Sequence, residues 1–104
     1  MYRYKMPIKV IIKKSTKPEK KLMAVFYLHE GGKKIKTTHF GNTGADDFTK
    51  TKDKAQKKRY LDRHRKNENW NDYKSAGSLS RYILWDKPTR AESIKSYKKR
   101  FNLV

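Results

Sequence analysis

Residues 21–40 read Lys21-Leu22-Met23-Ala24-Val25-Phe26-Tyr27-Leu28-His29-Glu30-Gly31-Gly32-Lys33-Lys34-Ile35-Lys36-Thr37-Thr38-His39-Phe40, and this stretch decides the fold. From Lys21 to His29 the side chains are apolar at odd and even positions alike, as in a strand covered on both faces in the middle of a sheet. Glu30-Gly31-Gly32-Lys33 is a hairpin turn, because paired glycines reach positive φ without a Cβ clash. Lys34–Phe40 then returns as a strand. Upstream, Pro7–Lys13 is rich in β-branched residues and places Ile8, Val10 and Ile12 on one face. Lys14–Lys20 turns around Pro18 to join it to the central strand. The expectation is a three-stranded antiparallel meander with the second strand in the middle.

Downstream the period changes. Gly41–Thr49 is a loop with two glycines and Asn42. A helix is expected from about Lys52 to Lys66, with Tyr60, Leu61 and His64 on a narrow stripe. Lys54, Lys58, Arg59, Arg63, Arg65 and Lys66 lie on the opposite side. Asn67–Ser75 is polar apart from Trp70 and Tyr73. A short helix follows over Ser78–Trp85, with Leu79, Tyr82 and Ile83 inward, and Asp86-Lys87-Pro88 ends it. Thr89-Arg90-Ala91-Glu92 has the capping-box pattern and opens a last helix whose stripe is Ala91, Ile94, Tyr97 and Phe101. The fold class is α+β: the meander, over about 7–41, followed by three short helices over about 50–102, in one small basic domain spanning 1–104.

Composition limits the function. The 104 residues hold 28 lysines and arginines against ten acids, a formal charge of +18. Residues 1–41, 42–70 and 71–104 carry +9, +4 and +5, so the charge is not gathered in a tail. Such a charge repels itself unless a polyanion neutralises it. Nucleic acid suits it, through counterion release from the phosphates, with DNA favoured over RNA. The absence of cysteine excludes disulfides, thiolate metal sites and cysteine nucleophiles. No apolar run is long enough to cross a membrane, and the basic start is too short in apolar residues for a signal peptide, so a membrane or secreted protein is not expected.

A set of residues across 39–101 carries a resemblance. It comprises Phe40-Gly41-x-x-Gly44-x-x-Asp47-Phe48-Thr49, Lys52-Asp53, Arg59-Tyr60-x-x-Arg63-His64 and Glu68-Asn69-Trp70. It continues with Ala76-Gly77, Ser80-Arg81-Tyr82-x-Leu84-Trp85-x-Lys87-Pro88-Thr89 and Ser93-Ile94. The set resembles an uncharacterised family of small basic proteins encoded by large DNA viruses of algae and protists. That resemblance implies a virion or infected-cell location and supplies no catalytic residues.

The candidate nucleic-acid-binding residues are Lys54, Lys58, Arg59, Arg63, Arg65 and Lys66 on the cationic helix, together with Trp70 as a stacking ring. Lys13, Lys14, Lys20, Lys21, Lys33 and Lys34, at the turns of the sheet, extend the positive surface. Tyr2 and Tyr4 are further stacking candidates. No base-reading motif is present, so recognition through the backbone is expected rather than sequence readout. Phe40–Gly44 lacks the lysine-serine pair of a phosphate-binding loop and reads as a turn needing positive φ, with Asp46 and Asp47 helping to cap the next helix. His64 with Asp47, Asp53 or Glu68 matches no catalytic or metal spacing, so no enzyme activity and no cofactor are expected. The alternative is a structural virion protein, a minor capsid or inner-shell cement whose basic surface meets acidic virion proteins.

Overall fold

The structure, a computed structural model, describes residues 7–104. Tyr2 and Tyr4 lie outside the described residues. The meander is present: β1 (Ile8–Lys14), β2 (Lys20–Leu28) and β3 (Lys34–Asn42) form an antiparallel sheet in the order β1-β2-β3. Val10 opposes Phe26 across the first pair, and Leu22 opposes Phe40 across the second. Gly31 and Gly32 take φ of +83° and +66° in the β2–β3 turn, which Leu28 N–H closes by donating to the Lys33 carbonyl at 2.8 Å. The register slips beside Phe26 and Tyr27, leaving Ile35 as an extra residue in β3. At the outer edge of β1, Val104 donates to the Ile8 carbonyl and accepts from Val10 N–H, so the last residue extends the sheet.

Helices cover one face of the sheet. The short turn α1 (Phe48–Thr51) and α2 (Lys54–His64) are followed by α3 (Ala76–Leu79), which runs into a π-helical segment, Ser80–Leu84; α4 (Arg90–Arg100) closes the fold. One cluster of buried side chains joins Val10, Ala24, Phe26 and Phe40 of the sheet to Phe48, Tyr60, Leu79, Ile83, Leu84 and Tyr97. Met23 and Val25 are buried but lie outside that cluster, and Ile11 and Ile35 are exposed.

Several helix boundaries depart from expectation. The helix expected from Lys52 starts later, at Lys54: Lys52 adopts left-handed backbone (φ +56°) and ends α1, which takes up the last residues of the expected Gly41–Thr49 loop, and Asp53 starts α2, its carboxylate accepting from the N–H of Ala55 and Gln56. The regular helix ends at His64, so Lys66 lies beyond it. The helix expected over Ser78–Trp85 begins at Ala76 and widens, with Trp85 N–H donating to Ser80, five residues back. Tyr82, Ile83, Leu84 and Trp85 are all buried in succession, which fits a segment packed on every side.

Thr89 caps α4 by accepting from Glu92 N–H, while the Glu92 carboxylate returns to the Thr89 hydroxyl at 2.9 Å. Tyr97 is fully buried, and Ile94 and Phe101 pack against the core. Ala91 is exposed; Ser93 takes the inward position instead, with its hydroxyl accepting from Lys87 N–H.

Candidate nucleic-acid interface

The chain between β3 and α1 shapes the candidate site. Gly41 and Gly44 have φ of +78° and +85°, and a Cβ on Gly41 would lie 2.7 Å from Leu84 Cδ1. This turn delivers Asp47, which is essentially buried and bonded to Lys21 Nζ at 2.6 Å, to Thr49 Oγ1 at 2.5 Å and to Lys50 N–H at 3.2 Å. Lys21 also donates to the Ala45 carbonyl. Burial alone would raise the Asp47 carboxyl; hydrogen bonds from Lys21 and Thr49 and the charges of Lys21 and Arg90 outweigh it and hold it below the usual carboxylate range.

Two grooves meet at this Lys21–Ala45 wall. One, of about 560 Å³, runs between the β2–β3 end, α2 and the π segment, and Lys20, Arg59, Arg63 and His64 line it with Asp46 and Glu68. The other, of about 660 Å³, is bordered by Lys14, Lys50, Lys52 and Arg90 around Asp47. Together they form one band in which eight lysines and arginines face three carboxylates. Lys21 pairs with Asp47, and Lys50 with Asp46 at 3.5 Å. Glu68 is held by His64 Nδ1 at 3.2 Å and by Trp70 Nε1, which donates at 3.0 Å. Lys14, Lys20, Lys52, Arg59, Arg63 and Arg90 form no ion pair among the described residues.

The cationic helix is divided by its own rings. Arg59 and Arg63 face the first groove. Lys54, Lys58 and Arg65 border a separate hollow of about 470 Å³ around Leu61 and Phe48. There Asp62 pairs with Lys58 at 2.8 Å and with Arg65 at 3.9 Å, so part of that charge is already answered. The Lys58 hydrogen bond holds the Asp62 carboxyl low. Lys57 donates to the Asp86 carbonyl at 2.7 Å above the Phe48 ring, and burial lowers its pKa. Lys66 is exposed and lines neither groove.

Trp70 is half-buried against the core with Arg81 over its ring, 5.3 Å from the centroid. Between the two groups of cations runs a stack of three rings: Trp85 on Tyr60 (centroids 4.4 Å apart, 8° between planes) and Tyr60 on His64 (4.2 Å, 28°). Burial, with the Glu68 charge next, pushes the Tyr60 hydroxyl up to about 12. No group of three His, Asp or Glu side chains is placed to hold a metal ion among the described residues, and no described helix is long and apolar enough to cross a membrane.

Sequence reasoning named Lys14, Lys20 and Lys21 but missed Lys50, Lys52 and Arg90. Those three enter the band through turns and a helix start, not through a face with a period. The His64 ring stack was legible as a Tyr60–His64 pair at i, i+4.

A family model, described as a family of unknown function (DUF5754), matches residues 10–64, which run from β1 to the end of α2. The match takes in most of β1, all of β2 and β3, the Asp47 turn, Arg59 and Arg63. No curated protein and no solved structure matches the chain. The chain belongs to this family of unknown function, DUF5754.

Proposed function

We propose that this member of the family binds nucleic acid through its phosphates, along the basic band on either side of the Lys21–Ala45 wall. The observation that carries the reading is the six cations of that band that form no ion pair among the described residues, set in concave surface, with a ring stack beside Arg59 and Arg63. Folding has spent carboxylates on Lys21, Lys50, Lys58 and Arg65 but left these six facing the grooves. A polyanion crossing the band would neutralise them and release its counterions. No base-reading element borders the grooves, so little sequence preference is expected. Condensation or packaging of a viral genome, or regulation of nucleic-acid transactions, is the use we propose; the viral setting rests on the resemblance over residues 39–101.

The test is binding of duplex DNA, single-stranded DNA and RNA across a salt series. With about 5–8 phosphate contacts, log K falls against log salt with a slope of roughly −4 to −7. Absence of binding at about 50 mM salt, where screening is weak, would sink the reading.

A second reading has its own observation. Ile11 and Ile35 are exposed on the sheet, away from the helical core. We propose as the alternative a structural virion protein that meets acidic proteins across this surface. Co-purification with such a partner would then be lost in variants of Ile11 and Ile35 and kept in variants of Arg59 and Arg63.

A further inference from the structure

We propose that His64 is a stacking platform for one unpaired nucleobase, with Arg59 and Arg63 holding the phosphates beside it. This rests on the nucleic-acid reading above and adds to it a preference for single strands.

The stack is anchored at its inner end. Trp85 and Tyr60 are each 8% exposed and pack in the core. The His64 side chain, third in line, is 36% exposed and borders the groove. Its orientation is set before any ligand arrives: Nδ1 meets Glu68 Oε1 at 3.2 Å, and the other Glu68 oxygen accepts from Trp70 Nε1. A ring so fixed loses little freedom on binding, which favours affinity.

The groove beside it, about 560 Å³, lies within the usual range for small-ligand sites. Arg59 and Arg63 are one helical turn apart on its wall, with Lys20 on the same wall system from β2. A nucleotide needs two things of a site: a flat surface for its base and cations for its phosphates. Both are present in one groove. Bases in a duplex have both faces covered by neighbours, so a stacking surface of this kind selects unpaired ones. Trp70 and Tyr73, the other rings near α2 and α3, are engaged elsewhere: Arg81 lies over Trp70, and Tyr73 meets Phe26 edge-on and Phe101 at a tilt.

The experiment compares a short oligothymidylate with an abasic strand of the same length and charge, by fluorescence anisotropy at fixed salt. The intact chain should bind the oligothymidylate at least about fivefold more tightly than the abasic strand, the lower end for one stacked base. His64→Ala should bring that ratio close to one; His64→Phe, which keeps a flat ring, should preserve it. Equal binding of both strands by the intact chain would overturn the stacking proposal and leave the phosphate reading standing. A ratio that survives in His64→Ala would overturn it too. Binding of neither strand would bring down the phosphate reading and this proposal with it. Should His64→Ala fail to fold by circular dichroism, the intact chain and His64→Phe still decide: a ratio near one in either overturns the proposal.

Discussion

At Asp47 a single carboxylate caps α1, accepts the Thr49 hydroxyl and holds the Lys21 ammonium, with 1% of its side chain exposed. Replacing it with asparagine would leave the Lys21 charge, itself 14% exposed, without its partner. Breaking a buried pair from one side costs on the order of 3 kcal/mol, so Asp47→Asn should lower the melting temperature well beyond Asp46→Asn, whose pair is exposed. The Asp47 carboxyl is held below its usual range, so its contribution is full above the unfolded value of about 4 and fades as pH falls toward the folded one. Thermal melts from pH 6 down to about pH 2 should therefore show a loss of stability that is smaller in Asp47→Asn. Gly41 gives a second test. An alanine there combines φ of +78° with a methyl 2.7 Å from Leu84 Cδ1. Gly41→Ala should cost about 1–3 kcal/mol by denaturant titration, whereas Gly44→Ala, with open space around it, should show only the backbone strain.

Among the elements, α4 closes the core, and its interactions differ in expected weight. Tyr97 is fully buried and its hydroxyl donates to the Tyr73 carbonyl at 2.6 Å, pinning the α2–α3 loop; burial raises its pKa. Tyr97→Phe should cost about 1–2 kcal/mol because that carbonyl loses its donor. Ile94→Asp and Phe101→Asp should be far worse, and Glu92→Ala should cost on the order of 1 kcal/mol. Melting curves that rank Glu92→Ala as the most damaging would contradict the packing of this helix. The sheet, the glycine turn and the α4 cap were legible in the sequence because each is written locally, as alternation, positive-φ residues or a cap at fixed spacing. The break at Lys52 was not: lysine has no preference for left-handed backbone, and only the Asp53 cap hinted at a new start. The band was legible in part. On a 3.6-residue wheel, Arg59 and Arg63 fall on one side of Tyr60 and His64, with Lys54, Lys58 and Arg65 on the other. Which group faces a groove depends on how α2 lies against the β2–β3 end, and no local pattern records that.

For the whole molecule the dominant quantity is the charge of +18. Self-repulsion disfavours the compact state, so added salt should raise the melting temperature until the surface is screened, and a polyanion should do so at far lower concentration. In the proposed function it is the cations of the band, rather than charge in general, that meet the phosphates. The most direct measurement is the salt dependence of duplex and single-strand binding for two triple variants of equal charge. One is Lys20→Gln with Arg59→Gln and Arg63→Gln, in the groove; the other is Lys54→Gln with Lys58→Gln and Arg65→Gln, around Leu61. Glutamine keeps a helix-forming side chain at the α2 positions, and Lys20 is not in the buried core, so both should fold. The groove variant should lose about 2–3 from the salt slope while the other stays near the parent value. Equal slopes in the two variants, or a larger loss in the second, would contradict it.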